Sequence, residues 1–399
     1  MYLKTNHFMK KALLGSILIP FISMAQQKEN WDLYIQNDIE EWIPARISFE
    51  EKNGEKYLNI KNAEETIQLK PSKIANDSTY YKFIDYNAEI VFTKGSNNNL
   101  TGYWVNYESD PVKKRPVKAT LHSNPFGNNR SANVNGSWKA VIKRETGEND
   151  AIIIFRQKEQ NLYATIRTKS GDYRYLEGSV NGENFFLSSF SGNSLFYLKG
   201  KIENDTLKGR ISGVKTNNIT IEAVRDADFQ LPDGKILTKA VNEKPFQLDL
   251  KDEYGKLQNF KKLTENKVTI VSIFGTWCPN CVDEVNYFNE LQKKFPGIEI
   301  ICVSFEATNN EIEQQKRVQG FKARKNISLQ FLIGGKAEKE NVMKKFPMID
   351  NFGSYPTSFL IDKNGKIQEI YTGFNGPATG ILYDRFKEEL EGKIRELLK

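Results

Sequence analysis

The 399-residue sequence predicts a multidomain protein, an antiparallel all-β N-terminal region (barrel or sandwich) followed by a three-layer α/β domain. Three observations predict it. From Gln26 to Arg225 the chain consists of short alternating runs punctuated by turn residues, with no helix-period segment. Within that stretch similar residues recur at a nearly constant spacing. Beyond it, continuous apolar, β-branched runs alternate with helical stripes, the texture of a sheet covered on both faces.

Taken in order, residues 1–25 predict a secretory signal. Lys4, Lys10 and Lys11 precede an apolar run from Ala12 to Met24, and Ser23-Met24-Ala25 provides small residues for cleavage. That run falls short of the ~20 residues that span a bilayer, and it contains Gly15 and Pro20. An uncleaved leader would instead tether the chain to a membrane. No later segment could span one. The expected location is therefore a bacterial periplasm or another oxidising, extracytoplasmic space. Of the formal net charge of +7 the leader contributes three, leaving a net +4 spread along the rest. The one basic run, Lys113-Lys114-Arg115, is expected to be a solvated loop, and nucleic-acid binding has no support.

The β-rich region, 26–225, contains strand-length runs such as Ala45–Phe49, Glu89–Phe92, Ala151–Phe155, Leu195–Leu198 and Ile219–Ile221. Turn signals such as Asn53-Gly54, Gly171-Asp172 and Asn181-Gly182 separate them. Trp31 recurs as Trp138 at an offset of 107, and Ala45, Ile47 and Phe49 as Ala151, Ile153 and Phe155 at 106. Tyr80-Tyr81 align with Phe185-Phe186 at 105, and Leu100 and Gly102 with Leu207 and Gly209 at 107. The region reads as two copies of one β module, about 31–107 and 138–213. Its aromatics, among them Trp104, Phe185, Phe186, Phe190, Phe196 and Tyr197, are expected to be packing residues.

A linker over 226–244, including Leu231-Pro232-Asp233-Gly234, leads to a C-terminal domain over 245–399. There a strand at Phe246–Leu250 precedes a buried strand at Val268–Phe274 and a helix over Pro279–Phe295. A strand at Ile298–Val303, a helix at Glu311–Arg324 and a strand at Leu329–Ile333 follow. A hairpin turning at Asp362-Lys363-Asn364-Gly365 and a helix carrying Leu382, Phe386, Leu390, Ile394 and Leu397 complete a thioredoxin-type order.

Cysteine and histidine counts prune the chemistry. The chain has three cysteines, Cys278, Cys281 and Cys302, and two histidines, His7 and His122. A structural zinc site needs four such ligands, so no metal and no other cofactor is expected. A disulfide scaffold is excluded as well, because only one pair is close in sequence, and a loop that short is a poor staple. Redox chemistry remains. In Trp277-Cys278-Pro279-Asn280-Cys281 the first thiol opens a helix, where unpaired N–H groups stabilise negative charge on Cys278. The second lies three residues on, near enough to release a mixed disulfide. Pro279 suits the first turn, where its missing N–H costs nothing.

Glu284 lies three residues after Cys281. Either it is buried beneath the pair, with a raised pKa, and shuttles the proton of Cys281, or it is an ordinary acid complementing the helix dipole. Pro356, at the entrance of the strand Ser358–Ile361, is expected to follow a cis peptide bond, because proline fits poorly inside a central strand. Cys302, on a buried strand, reads as a small core residue.

These motifs carry a resemblance. Trp277-Cys278-Pro279-Asn280-Cys281, the glutamate three residues later, and the stretch Tyr355-Pro356-Thr357-Ser358-Phe359-Leu360-Ile361-Asp362-Lys363-Asn364-Gly365 are similar to the TlpA/ResA-type periplasmic thiol–disulfide oxidoreductases of the thioredoxin superfamily. The resemblance implies that Cys278 is the attacking thiolate, Cys281 the resolving thiol and Glu284 the buried acid of that family. It also implies that Trp277, Pro279, Tyr355 and Pro356 bind substrate, Pro356 as the cis-proline loop. Two positions depart from the pattern. Ser272 stands where thioredoxin keeps a buried aspartate, and Val285-Asn286-Tyr287 lacks a proline common after the glutamate.

The expected function is reduction of disulfides in secreted client proteins, with electrons from a membrane-embedded thiol donor. The alternatives are an oxidase or isomerase using the same pair, and a binding protein whose β module captures a ligand or partner. A peroxidase is excluded: its site places Thr three residues before the cysteine, whereas Thr276 is two before.

Overall fold

The computed structural model describes residues 29–95, 99–109, 111–121, 132–159, 161–215, 218–241, 246 and 248–399. The predicted leader, His122 and Pro245 lie outside them.

The alternating N-terminal runs form two nine-stranded antiparallel sheets. The first contains β1 (Glu29–Gln36), β2 (Trp42–Lys52), β3 (Glu55–Asn62), β4 (Glu65–Leu69) and β5 (Pro71–Ala75). It continues with β6 (Ser78–Lys82), β7 (Ala88–Lys94), β8 (Leu100–Asn106) and β9 (Lys114–Leu121). Because β9 returns to pair with β1, the order is β4-β3-β2-β1-β9-β8-β7-β6-β5. The second sheet repeats this path with β10 (Gly136–Arg144), β11 (Gly147–Lys158), β12 (Asn161–Thr168), β13 (Gly171–Asp172) and β14 (Leu176–Asn181). It ends with β15 (Asn184–Phe190), β16 (Leu195–Glu203), β17 (Thr206–Ser212) and β18 (Ile219–Arg225). Here β18 returns to β10, and a further pairing of β11 with β12 closes a barrel.

Inward-facing residues follow the period of two: Ile43, Ala45, Ile47 and Phe49 on β2, and Ala151, Ile153 and Phe155 on β11, are all buried. Trp31 meets Phe49 edge-on at 5.9 Å, and Trp138 meets Phe155 edge-on at 6.0 Å. One alignment shifts. Tyr81 and Phe185 are the inward aromatics, 104 residues apart, so the offset of 105 that sets Tyr80 against Phe185 matches residues on opposite faces. A one-residue slip would turn the ring to the other face of the sheet. The basic run also differs from its expected solvated state. Arg115 lies on β9, is buried, stacks 5.1 Å over Trp104 and pairs with Asp38 at 2.9 and 3.3 Å.

The C-terminal domain has α1 (Phe260–Thr264), β21 (Thr269–Phe274), α2 (Pro279–Lys294), β22 (Glu299–Glu306), α3 (Glu311–Lys325), β23 (Gln330–Lys336) and α4 (Lys339–Lys345). It finishes with β24 (Thr357–Ile361), β25 (Ile367–Thr372) and α5 (Ile381–Leu398). The sheet order is β23-β22-β21-β24-β25, the first three parallel and the last two antiparallel. Side chains of α2, α3 and α5 pack on one face, and those of α1 and α4 on the other. This is the predicted three-layer, thioredoxin-like arrangement.

The strand expected at Phe246–Leu250 shrinks to β19 (Leu250–Lys251), paired with β20 (Leu257–Gln258). Phe246 instead packs its ring against Phe260, Phe346 and Phe359 at 5.1–5.9 Å, so side-chain packing anchors this segment. Helices α1 and α4, of 5 and 7 residues, are too short to leave a periodic signal and were not expected. The segment before the domain is no loose tether. Lys239 N–H donates to Asp350 Oδ1 at 2.8 Å, Val241 N–H to the Met348 carbonyl at 2.9 Å, and Lys235 pairs with Glu389 at 2.6 Å.

Candidate active site

The buried strand β21 ends at Phe274, and the chain turns through Gly275-Thr276-Trp277 into α2. Cys278 is the N-cap of that helix and Pro279 occupies its first turn. The Cys281 N–H donates to Cys278 Sγ at 3.3 Å, so an otherwise orphaned helix N–H faces the sulfur. Both sulfurs are free thiols. Cys278 is 6% exposed and Cys281 is fully enclosed. Burial, then the Cys278 sulfur beside it, push the Cys281 thiol well up, so it stays protonated at neutral pH.

One turn further, Glu284 is 1% exposed on the face of α2 that rests on the sheet. Ser272 Oγ on β21 donates to its Oε2 at 2.6 Å, and Ser358 Oγ on β24 to its Oε1 at 2.7 Å. Burial raises this carboxyl to about 7 while the two hydroxyls pull the other way. Ser272, which departs from thioredoxin's pattern, is thus a hydrogen-bond donor to the glutamate. Cys302 is paired in register with Ser272 on the neighbouring strand and fully buried, and burial pushes its thiol up.

Trp277 stands beside the pair. Its indole N–H donates to the Phe305 carbonyl at 2.9 Å, and its ring meets Tyr355 edge-on at 5.2 Å. The Tyr355–Pro356 peptide is cis and lies just before β24. The Pro356 carbonyl accepts from Gly373 N–H at 2.8 Å, which ties the loop to the end of β25. The Tyr355 hydroxyl is buried and has no hydrogen-bond partner among the described residues.

Sequence reasoning missed Glu306. It terminates β22, is fully buried, and accepts from Thr276 N–H at 3.0 Å, Thr276 Oγ1 at 2.7 Å and Ser304 Oγ at 2.5 Å. Burial lifts it to about 7. It therefore clamps the turn two residues before Cys278. The available signal was an acid closing the otherwise uncharged, largely apolar run Ile300–Phe305.

The β region was expected to stand in front of this domain, but it also touches the motif itself. Asn193, in the turn between β15 and β16, donates to the Trp277 carbonyl at 2.6 Å. Arg174, after β13, pairs with Asp283 on α2 at 3.1 Å and with Glu65 on β4 at 2.7 Å. Asp172 accepts from Gly376 N–H at 2.5 Å, and Gly171 forms a parallel bridge with Phe374. Burial raises Asp283 to about 7 against the pull of Arg174. Among the described residues no cluster of three or more His, Cys, Asp or Glu side chains could hold a metal ion. Among the same residues no helix is long and apolar enough to cross a membrane.

Residues 241–370 match the AhpC/TSA family model. The thiol–disulfide oxidoreductase ResA of Bacillus cereus is 32% identical over 150 residues, which are 37% of this chain and 72% of that protein. The chain belongs to the ResA family of thiol–disulfide oxidoreductases. The ResA of Geobacillus kaustophilus is also 32% identical, over 127 residues, and the chain spans 63% of its length. Among solved structures, StoA from Bacillus subtilis is 20% identical, with a TM-score of 0.27, over 37% of this chain and 98% of its own. The ResA matches cover only 31–37% of this chain.

Proposed function

We propose that this ResA-family protein is exported and reduces disulfides in exported client proteins through the Cys278–Cys281 dithiol. The Cys278 thiolate attacks a client disulfide, forming a mixed disulfide and releasing one client thiolate. Cys281 then loses its proton and attacks Cys278 Sγ, closing the Cys278–Cys281 disulfide and releasing the second client thiol. Two electrons pass to the client. A membrane-embedded thiol donor returns the pair to the dithiol, because the periplasm has no reductant pool. Trp277, Pro279, Tyr355 and Pro356 frame the approach of the client.

The observation that carries this reading is the stack of Cys278, Cys281 and Glu284 on successive positions of one helix. The sulfur at its N-terminus accepts a backbone N–H, and the carboxyl one turn on is enclosed. A carboxyl near 7 is half ionised at neutral pH, so Glu284 is suited to take the proton that Cys281 must lose. The reducing direction is supported by Asn280. A strong oxidant gains from a second thiolate-stabilising group between its cysteines, and Asn280 carries no charge.

Trapping tests the reading. A Cys281→Ser variant is expected to hold clients as mixed disulfides on Cys278, recoverable by mass spectrometry, and recovery of none from the native compartment would sink it. A reduction potential near about −270 mV would accord with a reductase, and one near about −120 mV would reverse the direction. Glu284→Gln keeps the shape of the buried site. It is expected to slow release of the mixed disulfide about 100-fold at neutral pH and to flatten its rise with pH near 7. An unchanged pH–rate profile would remove the glutamate from the mechanism.

A further inference from the structure

A thiol that must meet a client disulfide is 6% exposed, in an apolar cluster shared with Phe83 and Tyr86, and turns of the second β module lie against the residues around it. The Asn193 amide holds the carbonyl of Trp277, the residue preceding Cys278. Gly171 lies against Asn280, between the two cysteines. A β-carbon on Gly171 would collide with the Asn280 amide and sit 2.9 Å from the Phe374 carbonyl oxygen. Arg174 reaches Asp283, two residues beyond Cys281. Contacts thus fall on both flanks of the motif and in its middle.

One cleft of about 620 Å³ leads to this place. Gly171, Asp172 and Tyr173 form one wall, Leu231 and Pro232 another, and Asn280 and Tyr355 also line it. Its volume lies within the ~300–1,000 Å³ of small-ligand clefts, far too small for a folded protein surface. Cys278 itself is not in its lining.

We propose that the turns Thr168–Arg174 and Ser191–Ser194 form a cover that makes Cys278 selective for disulfides borne on extended, flexible polypeptide. Such a segment threads the cleft to the redox pair, whereas a disulfide held in a folded surface waits for the cover to lift. The proposal rests on the exchange reading above. It adds which clients are admitted and which residues of the β region decide it, Gly171 and Asn193 foremost.

The test uses full-length, pre-reduced protein in single turnover, so that no reductant is required. Three oxidants are compared: dithiobis-nitrobenzoate, an unstructured peptide with one disulfide, and folded insulin. Wild type is expected to react with the peptide at least about tenfold faster than with insulin. Asn193→Ala removes one hydrogen bond and Gly171→Ala adds one methyl. Each is expected to raise the insulin rate about tenfold relative to the small disulfide, as loosening one such contact would. Wild-type Cys278 should also accept N-ethylmaleimide far faster than a polyethylene-glycol maleimide, a comparison that needs no variant. Rate ratios that both variants leave unmoved, or equal labelling by the two maleimides, would overturn the cover while the exchange reading stands. A wild type inert to dithiobis-nitrobenzoate would overturn the exchange reading and the cover with it.

Discussion

The two β modules share a strand path and an edge-on tryptophan–phenylalanine pair, yet they meet the thioredoxin-like domain by different means. The interior of the first belongs to one apolar cluster that continues through Phe83 and Tyr86 to Cys278, Val282 and Phe288. The second keeps a core of its own around Trp138, Phe155 and Phe185, and reaches Trp277 and α2 with polar groups. Among the described residues, Phe190 and Leu195, at the ends of β15 and β16, are buried in the first module's cluster instead, and Tyr197 and Val214 pack against it. Apolar burial is non-directional and grows with area, so the first contact acts as a common core. Ion pairs and hydrogen bonds demand one geometry and can be lost singly, so the second contact can open.

The contrast is most severely tested at Phe190, whose ring packs edge-on against Trp104 at 5.1 Å and Phe83 at 5.5 Å. Phe190→Ala is expected to cost about 3–5 kcal/mol in denaturant unfolding, as for a large aromatic deleted from a core. A much smaller loss would mean that the modules are not joined there. Arg174→Met leaves Glu65 and Asp283 without their cation. The expected cost is about 3 kcal/mol, at the low end for a broken buried pair because Asp283 can take up a proton.

The polar contact should also sense pH. With Asp283 raised to about 7 by burial, the folded state holds a proton that the unfolded chain has already released. Stability therefore falls as pH rises from the ordinary carboxylate range to about 7. Unfolding curves of Asp283→Asn are expected to fall less steeply, by about 2 kcal/mol between pH 5 and 7. Equal slopes would place that titration elsewhere, in Glu284 or Glu306. The smallest effect compares the paired tryptophans. Trp138 donates its indole N–H to the Val134 carbonyl at 2.9 Å, whereas the Trp31 N–H is buried with no partner among the described residues. Trp138→Phe should cost about 1 kcal/mol more than Trp31→Phe, and equal losses would remove that distinction between the modules.

The parts of the site that were legible in the sequence are local. The apolar run before Gly275, the helical stripe from Val282 to Leu291 and the three-residue steps from Cys278 to Glu284 express helix and strand periods directly. Whether Glu284 was buried was open, because burial depends on β21 and β24 closing over it with Ser272 and Ser358. Arg115 was misread for the same reason: a run of basic residues says nothing of an Asp38 lying 77 positions away.

The sequence by itself determined a dithiol at a helix N-terminus, a thioredoxin-like domain around it, and strand-rich modules ahead of it. Those features follow from the spacing of residues close together along the chain. Only the tertiary structure decided that Glu306 clamps the turn before Cys278, and that Arg174 and Asn193 come down on α2 and Trp277. Asn193 and Trp277 are 84 positions apart, and Asp172 and Gly376 are 204. Contacts at such separations have no periodicity to betray them, because they arise where surfaces of independently patterned elements meet.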